Sequence, residues 1–162
     1  MDPLSVVASI IAVSQALGMG IQLLAGIANA PAEFAEMLSE LSTLQACMRQ
    51  VCSVASAAAD PDLSLPAEVL VRLETKKYEL GQIAGAIDDI GARLLVSRDY
   101  NGNRASSASA SASLTKRGGG GQKVSVIDWQ RQRGRFVKLR DRARRCREDL
   151  AVCLGLLGVL EQ

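Results

Sequence analysis

Four thiols and one arginine-dense stretch are the side chains of this chain with chemistry to offer. Cys47, Cys52, Cys146 and Cys153 are nucleophiles and metal ligands by type, yet no two of them stand at CxxC spacing, and the 162 residues include no histidine. A zinc site would therefore have to be thiolate-only, and a general base would fall to a shifted carboxylate, a lysine or a cysteine. No paired-carboxylate or nucleophile motif distinguishes itself, so no catalytic residue, metal ligand or cofactor is assigned and the reading is non-enzymatic. Cys146 and Cys153 lie seven apart on an apolar seam, which fits small buried thiols in a reducing cytosol. Residues 118–121 are four glycines with Lys123 close behind. A phosphate loop would need a glycine where Gln122 stands and a strand before it, and none is predicted.

The arginine-dense stretch is the stronger signal. Arg131, Arg133, Arg135, Lys138, Arg140, Arg142, Arg144, Arg145 and Arg147 stand against only Asp128 and Asp141. Residues 1–95 carry five basic and eleven acidic side chains, or −6, while residues 96–162 carry fourteen and six, or +8, so the overall +2 hides a dipolar molecule. Three readings are open. The basic helix packs antiparallel to helices bearing Glu74, Glu79, Asp88 and Asp89 and is partly neutralised there. Or Arg131, Arg133, Arg135, Lys138 and Arg142 hold anionic lipid headgroups, each basic residue worth about 1 kcal/mol near such a surface. Nucleic acid is the least supported, because Trp129 and Phe136 are the nearby aromatics and no base-reading motif is present.

The opening segment carries the opposite character. Residues 3–32 contain no charge, in a chain that is 22% Asp, Glu, Lys and Arg. Residues 4–28 are long enough to cross a hydrocarbon layer of about 30 Å at about 1.5 Å per residue. Leu4, Val7, Ile10, Ile11, Leu17, Ile21 and Leu24 are the candidate insertion residues, on more than one face of a helix that must be buried somewhere. Gln15, Gly18, Gln22, Gly26 and Asn29 draw a thin polar stripe, which favours a bundle helix at rest over a permanent span. Ala8, Ala12, Ala16 and Gly20 form a ridge of small residues that lets another helix come close. A secretory signal is the third reading, from Ala28-Asn29-Ala30. Against it stand Asp2 in place of a basic start, Pro31 after the cut, and Glu33, Glu36 and Glu40 beyond. Asp2 also excludes myristoylation.

The elements that position these residues are helices throughout. At 48% hydrophobic but 3% aromatic, the composition predicts Ala/Leu-rich helical packing in one domain over residues 1–162. Phe34, Met37, Leu38, Leu41, Leu44, Met48 and Val51 set a second helix, which Pro31 starts. Leu73, Leu80, Ile83, Ile87, Ile90 and Leu94 set a third, interrupted by Lys76, and Phe136, Leu139, Ala143, Cys146, Leu150, Cys153, Leu157 and Leu160 a fourth. The spans predicted are 4–28, 32–58, 66–96 and 124–160. Between the last two, residues 98–123 turn to Asn/Gly, Ser/Ala and Gly composition and read as a long flexible loop, its serines a spacer or phosphorylation sites. The fold class is an all-α four-helix bundle with that loop before the last helix.

Met1-Asp2-Pro3-Leu4-Ser5-Val6-Val7-Ala8-Ser9-Ile10-Ile11-Ala12-Val13 resembles the start of fungal HeLo-like N-terminal domains, which head many NACHT or other NLR-type receptors and ankyrin-repeat proteins. The resemblance runs on through Asn29-Ala30-Pro31, the Leu38, Leu41, Leu44 ladder, Val126-Ile127-Asp128-Trp129 and Leu154-Gly155-Leu156-Leu157. It implies a helical bundle at the head of a longer receptor, similar to HeLo domains, to the four-helix bundle of the necroptosis effector MLKL and to the N-terminal domains of plant coiled-coil immune receptors. It further implies cytoplasmic residence, self-association on activation, and exposure of the segment 4–28 for association with the plasma membrane. A pure helical interaction module without membrane activity is the alternative.

Overall fold

The computed structural model describes residues 2–57, 65–102 and 124–160, and among them the chain forms four helices: α1 (Pro3–Ala25), α2 (Ala32–Ala57), α3 (Ala67–Gly102) and α4 (Val126–Leu160). The all-α four-helix architecture is as expected. Each start has a local cause. Asp2 caps α1 by accepting from the Leu4 N–H at 3.2 Å, with Pro3 in the first turn, where a missing N–H costs nothing. The Pro31 carbonyl accepts from Phe34 and Ala35 to begin α2. Ser125 begins α4: its hydroxyl accepts from the Asp128 N–H at 3.2 Å and donates to the Asp128 carboxylate at 2.6 Å.

Two boundaries differ from expectation. α1 closes three residues early, because Gly26 takes the cap position and Ile27 turns back to donate to the Leu24 carbonyl. α3 runs through 98–102, since no glycine or proline falls between Val96 and Tyr100 to stop the ladder before Gly102. The rest of the expected loop, 103–123, and the break at 58–64 lie outside the described residues.

The helices do not surround the core in chain order. α1 and α4 each pack against α2 and α3, whereas α1 does not touch α4 and α2 does not touch α3. The order around the bundle is thus α1, α2, α4, α3. Contacts fix the directions: Gly20 meets Ile87 and Leu23 meets Gly91, so α1 and α3 run parallel. Glu36 pairs with Arg140 and Glu40 with Arg144, so α2 and α4 are parallel too. Asp89 with Arg135 and Glu79 with Cys146 make α3 and α4 antiparallel.

The predicted seams line a single core, in which Leu41, Leu44, Ile83, Ile87, Leu139, Leu150 and Leu157 are all buried. Phe34, Trp129 and Phe136 meet edge to face at 4.8, 5.2 and 5.8 Å between ring centres, at the end where α2 and α4 both begin. Neither Trp129 nor Phe136 is presented to solvent.

Candidate functional site: the uncharged helix and the basic flank

α1 holds the bundle with one side and leaves the other bare. Of the predicted insertion residues, Val7, Ile10, Leu17 and Leu24 are buried in the core, joined by Val6, and Ile21 is half-buried. Leu4 and Ile11 are exposed, at 65% and 38%, and Met19 and Leu23 stand on the same outer side at 71% and 54%. With Ala8, Ala12, Gln15 and Gln22 between them, this outer face is free of charge along the whole helix. With 23 residues and no charged side chain, α1 is by length and composition long and apolar enough to cross a bilayer.

The small-residue ridge is only partly where a neighbour approaches. Gly20 is buried, and a Cβ there would stand 2.6 Å from Cγ2 of Ile87, so α3 comes as near as it does because position 20 has no side chain. Ala8, Ala12 and Ala16 are exposed instead. The ridge drifts off the α3 interface because residues four apart advance by about 400° along a helix of 3.6 residues per turn. A second close approach, not anticipated, falls at Gly18, whose missing side chain admits the Gln45 amide. That amide donates to the Ser14 carbonyl at 3.2 Å.

α1 has no charged side chain, and the ion pairs between helices bypass it. Arg133 pairs with Glu33 at 2.5 Å, Arg140 with Glu36 at 2.8 Å, and Arg144 and Arg147 with Glu40 at 3.3 and 3.4 Å, all joining α4 to α2. Arg135 pairs with Asp89 at 2.5 Å and Asp149 with Lys76, joining α4 to α3. α4 is the hub of these pairs. α1 is held by apolar packing: five buried aliphatic side chains at roughly 1.5–3 kcal/mol each give about 7–15 kcal/mol. Its polar ties, each worth on the order of 1 kcal/mol, are secondary. One is the Gln45 bond. The other is a clasp beyond its end, where the Asn29 amide donates to the Val124 carbonyl at 2.7 Å and accepts from the Val124 N–H at 2.9 Å.

The expected neutralisation of the basic helix is found, with a different partner in the larger share. Among the described residues Asp89 is the one predicted acid of α3 that pairs with an α4 arginine, while Glu79 and Glu74 pair with Lys76 and Lys77 of α3 itself, and Glu33, Glu36 and Glu40 of α2 do most of it. Of the five predicted lipid-contacting cations, Arg133 lies on the flank toward α2 with Glu33. Arg131, Arg135, Lys138 and Arg142 share the flank toward α3. There Arg135, Lys138 and Arg142 edge a shallow groove of about 260 Å³ floored by Ala86, Ile90 and Leu139, with Asp89 opposite. Arg131, Lys138 and Arg142 are exposed and form no ion pair among the described residues.

Lys76, the exception in the third seam, is a polar lock between α3 and α4. Its ammonium pairs with Glu79 at 2.8 Å and with Asp149, and the Cys146 thiol donates to Glu79 at 3.1 Å. Partial burial works to depress the Lys76 pKa, but the hydrogen bonds to Asp149 and Glu79 outweigh it and raise it. Glu79 is lowered, chiefly by the hydrogen bond from Lys76. Burial first, and Glu79 second, push Cys146 up to about 12, which leaves it an inert thiol. Cys52 and Cys153 are likewise buried, Cys47 is half-buried, and all four are free. Among the described residues no cluster of Cys, Asp or Glu has a metal-holding arrangement.

Comparison of the chain with family models, with curated proteins and with solved structures finds no match in any of the three.

Proposed function

We propose that this domain is a non-enzymatic effector or signalling module of the HeLo-like kind, cytoplasmic at rest, that acts by releasing α1 from its groove to enter a membrane while α4 holds anionic lipid at the plasma membrane. The observation that carries the reading is the division of forces in the bundle. α2, α3 and α4 are stapled by ion pairs, whereas α1 is uncharged, membrane-length and retained by apolar packing alone apart from a few hydrogen bonds. Release into water would forfeit about 7–15 kcal/mol. Release into hydrocarbon restores it, so α1 is retained until an apolar acceptor is at hand. The resemblance of the opening residues to fungal NLR-type receptors supplies the biological setting, with receptor domains following this one and self-association as the trigger.

The experiment is flotation and dye release with anionic and neutral vesicles. Binding and leakage restricted to anionic vesicles support the reading, and a folded, oligomerised chain that neither binds nor permeabilises them at any salt concentration overturns it. The alternative, an interaction module without membrane activity, is favoured by the same exposed face, which a partner helix would also cover. Nucleic acid retains little support: with Trp129 and Phe136 buried, phosphate contact is all that the basic flank offers.

A further inference from the structure

We infer that the groove formed by α2 and α3 for α1 is also the docking surface for α1 of a second copy of this chain, so that two molecules associate by exchanging their first helices. The occupant is defined by the contacts that the groove already makes. Gln45 fits over Gly18, Ile87 over Gly20, and Leu23 and Leu24 lie against Gly91, a set of keyed contacts that any other copy of α1 reproduces identically. No other helix is exchangeable on the same terms. Releasing α2, α3 or α4 for exchange must first break ion pairs such as Glu36 with Arg140 or Asp89 with Arg135, while releasing α1 breaks none.

The hinge is the linker 26–31, which reverses the chain between α1 and α2 in six residues. Short reversing connections of this kind favour exchange, and opening this one gives up the burial of Ile27 and its bond to the Leu24 carbonyl, both of which re-form once the first helices are exchanged. Pro31 keeps the opened linker from fusing α1 and α2 into one continuous helix. Asn29 opposes opening, because its two hydrogen bonds tie the linker to Val124 at the head of α4. Exchange shares with the proposed function the release of α1 but requires no membrane, and its test contains no lipid, so either can fail without the other.

The test uses two full-length variants. Gly20→Leu places a side chain where a Cβ already stands 2.6 Å from Ile87, so its α1 no longer fits its own groove. Ile87→Ala opens that space. When the two exchange first helices, the bulky side chain added at position 20 meets the enlarged groove, and the unaltered Gly20 of the other chain meets an intact Ile87. Both interfaces are therefore filled only in the exchanged heterodimer.

One variant is labelled with nitrogen-15, the two are warmed together and cooled, and the mixture is weighed by native mass spectrometry. The expected result is a one-to-one species at twice the 17.2 kDa of the chain, melting above either variant alone. Should Gly20→Leu fail to fold by itself, its recovery in soluble heterodimer only when Ile87→Ala is present supports exchange equally. A mixture that behaves as the sum of its parts overturns the inference, as does a heterodimer that melts no higher than either variant alone, which would mark a surface contact. Asn29→Ala in both chains should speed heterodimer formation severalfold; an unchanged rate would remove the linker as the hinge.

Discussion

Val7 and Ile11 lie one turn apart on an uncharged helix, and the structure gives them opposite tasks. Val7 is 8% exposed and packs in the core, whereas Ile11 faces solvent. Ile11→Asp should therefore leave the melting curve nearly unchanged yet abolish vesicle leakage, since Asp near the centre of a membrane helix costs roughly 2.5–3.5 kcal/mol. Val7→Asp should unfold the bundle before any membrane is met, as an unpaired buried charge does. Equal melting of the two variants in differential scanning calorimetry would refute this division. Cys146 supports a second prediction at this scale. A thiol of ordinary pKa 9.0 that rises to about 12 in the fold keeps its proton longer in the native state than in the unfolded one. Its contribution is complete below pH 9 and is lost as pH rises from there toward 12, by up to about 1.4 kcal/mol per unit. Urea unfolding from about pH 8 to about pH 10.5 should show that decline, and Cys146→Ala should make it shallower. Which residues face inward was legible from period alone, because a buried position in a helix recurs whatever covers it. Lys76 was visible only as an interruption: its partners Asp149 and Glu79 satisfy it from another helix and from one turn on, and a sequence pattern carries no such pairing.

At the scale of the element, α4 has two basic flanks that one list of arginines does not separate. Replacing Arg133, Arg140 and Arg144 with Gln removes pairs to Glu33, Glu36 and Glu40, and the triple variant should melt measurably below the parent, though each exposed pair contributes little. Replacing Arg131, Lys138 and Arg142 with Gln should leave stability within about 0.5 kcal/mol, because these side chains form no ion pair among the described residues. Flotation on anionic vesicles should respond in reverse, the second triple losing most binding and the first little, with both differences fading as salt screens surface charge beyond about 8 Å. Loss of vesicle binding in the first triple alone would assign lipid contact to the wrong flank. The acidic ladder of α2 was present in the sequence as Glu33, Glu36 and Glu40. Its match to Arg133, Arg140, Arg144 and Arg147 was not read, because that requires knowing that α2 and α4 lie side by side and parallel.

For the whole molecule, the decisive fact is the order of helices around the core. α1 and α4 occupy opposite corners, so the bare face of α1 and the α3-side flank of α4 point away from each other. On the proposed function, a flat membrane would meet one of them at a time while the bundle is closed, so attachment through α4 would come before insertion of α1. Joining positions 23 and 91 with a short thiol cross-linker, after Leu23→Cys and Gly91→Cys, ties α1 to α3 where the two already meet. The locked protein should still float with anionic vesicles and should release no dye until the tether is cleaved. Leakage from the locked form would show that α1 need not leave its groove. Four seams in the sequence were enough to count helices, but their circular order depends on which apolar stripes are complementary in width. No stripe names its neighbour.

The clasp between Asn29 and Val124 spans 95 residues of chain, and that separation sets a delay during synthesis. At roughly 5–20 residues per second, Val124 is made about 5–19 s after Asn29. For all of that interval α1 exists without its last anchor, and for much of it without the α3 side of its groove. A nascent chain thus completes an uncharged, membrane-length helix well before the α2–α3 groove that buries its inner side is whole, and the tie between Asn29 and Val124 closes later still.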